Sequence, residues 1–173
     1  MWLAFLGGGL ILSVCIMTGN QKALELKKRE QQLAAFAGLC NAIETEIAYG
    51  QTPLPQIFLR QGKHLSYPLG SICQMTGNSL SQGGGVVLDT VWREALLTYE
   101  AALYLTGEDR EIIESLSSEL GLSYSNEQIK KLQLLRLRLE QQERLAREEQ
   151  QKMGKVWQAL GWCSGSMLIL LFL

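Results

Sequence analysis

The sequence predicts an all-α protein, a bundle of six helices carried between two transmembrane helices. Three observations predict it. Apolar residues recur at intervals of three and four in the segments between turns, and no stretch alternates as a strand would. The charged residues, 16 basic and 17 acidic, all lie between Lys22 and Lys155. The flanks they leave are chargeless and apolar, and eighteen helical residues rise roughly 27 Å, about one hydrocarbon core. The expected organisation is an N-terminal transmembrane helix over 1–21, a cytoplasmic helical bundle over 22–155 and a C-terminal transmembrane helix over 156–173.

Basic residues set the orientation. Lys22, Lys27, Lys28 and Arg29 follow the first span, and Arg144, Arg147, Lys152 and Lys155 precede the second. The positive-inside rule therefore puts the bundle in the cytoplasm and both termini outside. Residues 1–21 read as a retained span, because no Lys or Arg precedes the apolar run and no small-x-small cleavage site is convincing. A lipoprotein signal ending at Cys15 is disfavoured by Val14, which stands where a small residue is wanted. Gly7, Gly8 and Gly9 in the first span, with Gly161 and Gly165 as a GxxxG in the second, either let spans pack closely or reflect the ordinary tolerance of glycine in lipid. Cys15 and Cys163 fall in the spans, whereas Cys40 and Cys73 stand alone in the domain and suit reduced, buried thiols.

The first helix continues from Lys22 to Tyr49, with Leu33, Phe36, Cys40, Ile43 and Ile47 along one face. Gly50 is a left-handed stop, and Pro53 disfavours helix in Thr52 while suiting the first turn of the next helix, Leu54 to Lys63. Tyr67-Pro68 opens a third helix to Leu80, with Leu69, Ile72, Cys73 and Met75 or Thr76 inward. Residues 81–85 form a flexible loop, since a phosphate-cradling loop would need a preceding strand and a Gly-Lys-Ser/Thr ending. The fourth helix runs from Val86 to Leu105, with Val87, Val91 and Ala95 inward and Leu88, Trp92 and Tyr99 beside them.

Thr106-x-x-Asp109 resembles a capping box and starts the fifth helix, where acids in the first turn favour the helix dipole. Ile112, Ile113, Leu116 and Leu120 follow, and Gly121 closes it. Ser125-x-x-Gln128 is a second capping box. It starts the helix that organises the chain, a densely charged segment that passes into the second span with no linker. Ile129, Leu132, Leu135 and Leu139 make one stripe there, and Leu134, Leu137 and Leu145 widen it.

Chemistry is nearly absent from these elements. His64 is the single histidine, in a short helix before a turn, without the partners a nucleophile or metal would need. Neither CxxC nor a Cys/His cluster occurs, so no metal or cofactor is expected. Glu44 and Glu46 are two apart and cannot form a dyad on a helix. The arginines from Arg136 to Arg147 alternate with glutamates, a solvated face rather than a nucleic-acid stripe. The expected protein is not an enzyme; the rival readings are a membrane-anchored enzyme of unknown class and an exported or lipid-anchored helical protein.

One segment carries a family likeness. Glu44-Thr45-Glu46-Ile47-Ala48-Tyr49-Gly50-Gln51-Thr52-Pro53-Leu54 resembles the E-x-E-I-x-Y-x-x-T-P-L segment of the stage III sporulation protein AB family. Leu120-Gly121, the long Gln- and Lys-rich helix and Leu160-Gly161 before an apolar tail match that family's order, so the likeness covers essentially the whole chain. Tyr124 departs from it, standing where the family has an acid. The resemblance implies a subunit of the channel complex between mother cell and forespore, in the mother cell membrane around the forespore. It implies a domain similar to those of type II secretion and type IV pilus platform proteins, which pass the motion of a cytoplasmic ATPase to membrane parts. The implied partners are the AA subunit secretion-type ATPase, the other membrane subunits and the bilayer, with homo-oligomerisation open and no nucleic acid.

Two readings of the turn at Tyr49 follow. If the first cytoplasmic helix stands upright, its end lies roughly 40 Å along the axis from the membrane. There Glu44, Glu46, Tyr49, Gly50, Thr52 and Pro53 would form a docking tip for the ATPase. In the other reading Tyr49 packs under the turn and Thr52 caps the next helix.

Overall fold

Between its chargeless flanks the chain has only three prolines, and all three stand at helix starts. The computed structural model describes residues 2–49, 52–83, 85–120 and 125–172; the side chains of 2–16, 125–126, 154–155, 157–158 and 160–172 lie outside the description. Six α-helices follow one another: α1 Trp2–Tyr49, α2 Leu54–His64, α3 Leu69–Ser81, α4 Leu88–Thr98, α5 Gly107–Leu120 and α6 Ser125–Phe172. A 3₁₀ turn, Glu100–Ala102, follows α4, and the described residues contain no strand.

The helices sort into two units, one of Gln31–Glu143 and one of Met1–Glu30 with Arg144–Leu173. In the first unit α2 packs on α3, α3 on α4 and α4 on α5. Its core is the face the periodicity of α1 marked, with Leu33, Phe36, Cys40 and Ile43 buried, together with Leu132, Leu135 and Leu139 of α6. Ile47 is only half-buried. Trp92 joins four helices. It is fully buried, meets Phe36 of α1 edge-on at 6.4 Å and Phe58 of α2 at 5.7 Å, and its indole Nε1–H donates to the Ile113 carbonyl of α5 at 2.9 Å. Burial pushes the Cys40 and Cys73 thiols up to about 12, so both stay protonated and inert.

Close approach of α2 and α3 depends on glycine. A Cβ on Gly70 would sit 2.3 Å from the Leu65 carbonyl oxygen, and one on Gly77 would sit 2.7 Å from Leu59 Cγ. In the following loop Gly83 and Gly85 take φ of 73° and 76°, left-handed values that favour glycine; Gly84 lies outside the described residues.

The second unit is clamped by crossed ion pairs between α1 and α6. Arg29 Nη1 lies 2.8 Å from Glu149 Oε2, and Arg147 Nε lies 2.8 Å from Glu30 Oε1. Ala146 is buried there, while Met17, Leu24, Met153 and Val156 are exposed. Among the described residues no helix is long and apolar enough to cross a membrane. The stretches expected to span lie mostly where only the backbone is described, and that backbone is helical. The packing expected at Gly7, Gly8, Gly9, Gly161 and Gly165 falls outside the description.

Several expectations need correction. The helix expected over Val86 to Leu105 ends at Thr98. Past the 3₁₀ turn the chain is held to Gln32 of α1, whose Nε2–H donates to the Ala102 carbonyl at 2.9 Å and whose Oε1 accepts the Tyr104 N–H at 2.8 Å. One carboxamide thus satisfies two backbone groups that a continuing helix would have paired internally. Val87, expected inside, is exposed because it precedes α4 in extended conformation.

Leu134, Leu137 and Leu145 do not widen the core stripe of α6 but are 52%, 55% and 49% exposed. The inward arc is already filled by Leu132, Leu135, Leu139, Gln142 and Ala146. The Thr106–Asp109 box forms as expected: Asp109 Oδ2 accepts the Thr106 N–H at 2.9 Å and the Asp109 N–H returns to Thr106 Oγ1 at 3.3 Å. At the start of α6, Gln128 Nε2 donates to the Leu120 carbonyl at 2.9 Å; the capping box expected at Ser125 lies outside the description, because the Ser125 side chain does. Gly121 and Tyr124 lie outside the described residues.

Candidate docking site at the end of the first helix

Residues two apart on a helix point about 200° away from each other, so Glu44 and Glu46 must find partners on different neighbours. Glu44 faces α6: its Oε1 accepts from Gln133 Nε2 at 2.7 Å, and its Oε2 sits 3.8 Å from Arg136 Nε, an ion pair too long for a hydrogen bond. Arg136 also reaches Glu140 at 3.7 Å and Asn41 Oδ1 at 3.4 Å. Glu46 faces the turn and α2, accepting from Thr52 Oγ1 at 2.8 Å and pairing with Arg60. The two acids therefore cross-link the end of α1 to three other parts of its unit. They are not bare charges, since their side chains are only 17% and 19% exposed.

Thr52 does not cap α2. Its hydroxyl is given to Glu46, and the N-cap position belongs to Pro53, whose carbonyl accepts from Gln56 and Ile57 at 2.9 and 3.2 Å. Nor does Tyr49 pack under the turn. It is 90% exposed, an aromatic ring presented by a helix end that Glu46, Thr52 and Arg60 brace. Gly50 lies outside the described residues. The partners Arg60, Gln133 and Arg136 could not be assigned from the sequence, because nothing in their local pattern says which carboxylate they meet.

Reaction chemistry has no comparable assembly. His64 is exposed at the end of α2. Among the described residues no three His, Cys, Asp or Glu side chains gather as a metal site. Two recesses stand out: one of about 100 Å³ beside Leu103, Thr106 and Arg110, and an open one of about 370 Å³ lined by Ser71, Gln74, Met75, Asn78, Ser79 and Tyr99. The linings of these two recesses pair no nucleophile with a base. Several charges on α4 and α5, among them Asp89, Arg93, Arg110 and Glu114, are used in ion pairs. Asp89 Oδ1 accepts from Ser117 Oγ at 2.7 Å and from Arg93 Nε at 3.2 Å, and these bonds, that of Ser117 foremost, hold its carboxyl below the usual range. Arg110 is held further up by its hydrogen bond to Glu100 at 2.7 Å.

Known proteins resemble this chain along its length. The family model described as stage III sporulation protein AB matches residues 4–173. Stage III sporulation protein AB of Bacillus subtilis (strain 168) is 28% identical over 171 residues, covering 99% of this chain and 99% of the relative. A solved structure of a stage III sporulation protein AB superimposes with a TM-score of 0.67 at 25% identity, over 72% of this chain and 98% of that one.

Proposed function

The chain belongs to the stage III sporulation protein AB family, and from that premise we propose that it is a non-enzymatic membrane platform in a sporulation channel complex. Its charge-bearing bundle lies in the cytoplasm, the two apolar flanks span the mother cell membrane around the forespore, and both termini lie outside. One observation carries this reading: α1 and α6 each run without a break from the charged bundle into a chargeless flank. Continuous helices of that kind can pass displacement between a soluble partner and the bilayer. Protease added outside intact protoplasts of non-sporulating cells that carry the chain in their outer cell membrane should leave residues 22–155 uncut, and digestion from outside would overturn the topology.

The partner of the soluble side is a secretion-type ATPase, the AA subunit of the same complex, docking on the brace at the end of α1. Tyr49 makes the contact, and Glu44, Glu46, Thr52 and Pro53 hold it in place. Exposure of the ring supports this, because a tyrosine 90% open to solvent contributes little to folding yet is well suited to an interface. Tyr49→Ala should weaken ATPase recovery in crosslinked pull-downs from sporulating cells while leaving protein abundance unchanged. Undiminished recovery would refute the docking site.

A further inference from the structure

The exposed leucines of α6 lie on a face of defined charge. Between Ile129 and Leu139 the chain carries four bases and no acid. Lys130, Leu134 and Arg138 are exposed and four residues apart, and exposed Leu137 lies three beyond Leu134, so the four share one outward side of the helix. Among the described residues Lys130 and Arg138 make no ion pair.

A face of opposite sign lies on α4. Between Val86 and Leu120 the chain carries eight acids against two bases. The outward side of α4 presents Thr90, Glu94 and Leu97, with Leu97 62% exposed and Val87, also 62% exposed, just before the helix. Glu94 makes no ion pair among the described residues, whereas the neighbouring Arg93 is occupied by Asp89 at 3.1 Å and Glu114 at 3.9 Å. Each face thus combines bulky apolar side chains with an unpaired charge, and the two belong to the same unit, Gln31–Glu143.

We propose that these faces meet between copies of the chain: the basic leucine stripe of α6 on one copy seats on the acidic face of α4 on the next. The apolar side chains supply burial, and Glu94 against Lys130 and Arg138 fixes the pairing and disfavours like faces. When a copy engages its two faces with two different neighbours, the contact is heterologous and joins copies into a ring or a row. One helix face on each side is a small interface, so the contact is weak in dilute solution and strengthens where copies share a membrane. It uses residues other than the Tyr49 brace, and its failure would leave the ATPase reading untouched.

The test is sedimentation velocity on the full chain in detergent micelles, from about 1 to 100 µM at low and high salt. Wild type should assemble with increasing concentration and dissociate in high salt. Glu94→Lys alone, and Lys130→Glu with Arg138→Glu, should each weaken assembly at least tenfold with unchanged far-UV circular dichroism. The chain carrying all three substitutions should recover association to within about threefold of wild type, a restoration that a general surface effect would not produce. A monomeric wild type throughout, variants that assemble as wild type does, or a triple variant as weak as its parents would each overturn the proposal.

Discussion

Replacing Trp92 tests the packing of the bundle most directly. The side chain is fully buried, meets Phe36 and Phe58, and donates to the Ile113 carbonyl. Truncating a buried aromatic to alanine costs about 3–5 kcal/mol when the cavity does not collapse. Three helices besides α4 hold that cavity open, and the lost hydrogen bond contributes about 1 kcal/mol. Trp92→Ala should therefore fall near the upper end of the range, a large share of the ~5–15 kcal/mol typical of a domain. Trp92→Phe keeps one ring and most of the contacts with Phe36 and Phe58, and loses the indole donor and some volume, for about 1–3 kcal/mol. Urea unfolding of a fragment spanning residues 22–155, followed by far-UV circular dichroism, measures both. A loss below about 1 kcal/mol for the alanine variant, or equal losses for the two, would refute the assignment of Trp92 as the junction of four helices.

Glycine substitutions should separate close approach from open space. Gly70→Ala and Gly77→Ala should each lose about 1–3 kcal/mol or more, whereas Gly38→Ala, whose Cβ meets nothing within 4 Å, should gain roughly 0.5–1 kcal/mol; thermal melts distinguish them. Ser117→Ala removes the main bond that lowers the Asp89 pKa. A depressed folded pKa contributes stability above the ordinary aspartate value of about 3.9 and loses it as pH falls through the lower folded value. The variant should accordingly be less stable at neutral pH, and the difference should shrink only under acid; a difference independent of pH down to 2 would contradict the Ser117–Asp89 bond. Cys40 and Cys73 should resist maleimide at pH 8 in the folded protein and react in urea, as mass spectrometry would show. Glu46→Ala removes both the Arg60 ion pair and the Thr52 bond and should cost about 1–2 kcal/mol, so that an unchanged melt together with lost ATPase recovery would give Glu46 a direct contact role.

Much of the architecture was legible in the residues. Helix periodicity marked the inward residues of α1 from Leu33 to Ile43, because an apolar stripe on one helix face has no stable place other than a core. Thr106 and Asp109 announced the start of α5 because their bonds are local and need no other element. The Glu44–Leu54 segment pointed to the family whose model matches residues 4–173. Tertiary structure decided the rest. Gln32 pairs with the backbone of Ala102 and Tyr104 from another helix, across some seventy residues of chain, and no window around them contains that information. Leu134 and Leu137 have the spacing of core residues, yet α6 has only one inward arc, already filled. Glu44 and Glu46, two apart and pointing away from each other, meet Arg136, Gln133, Thr52 and Arg60 only in the fold. A sequence pattern records which faces are apolar or charged; which of those faces is covered depends on neighbours that only the folded chain supplies.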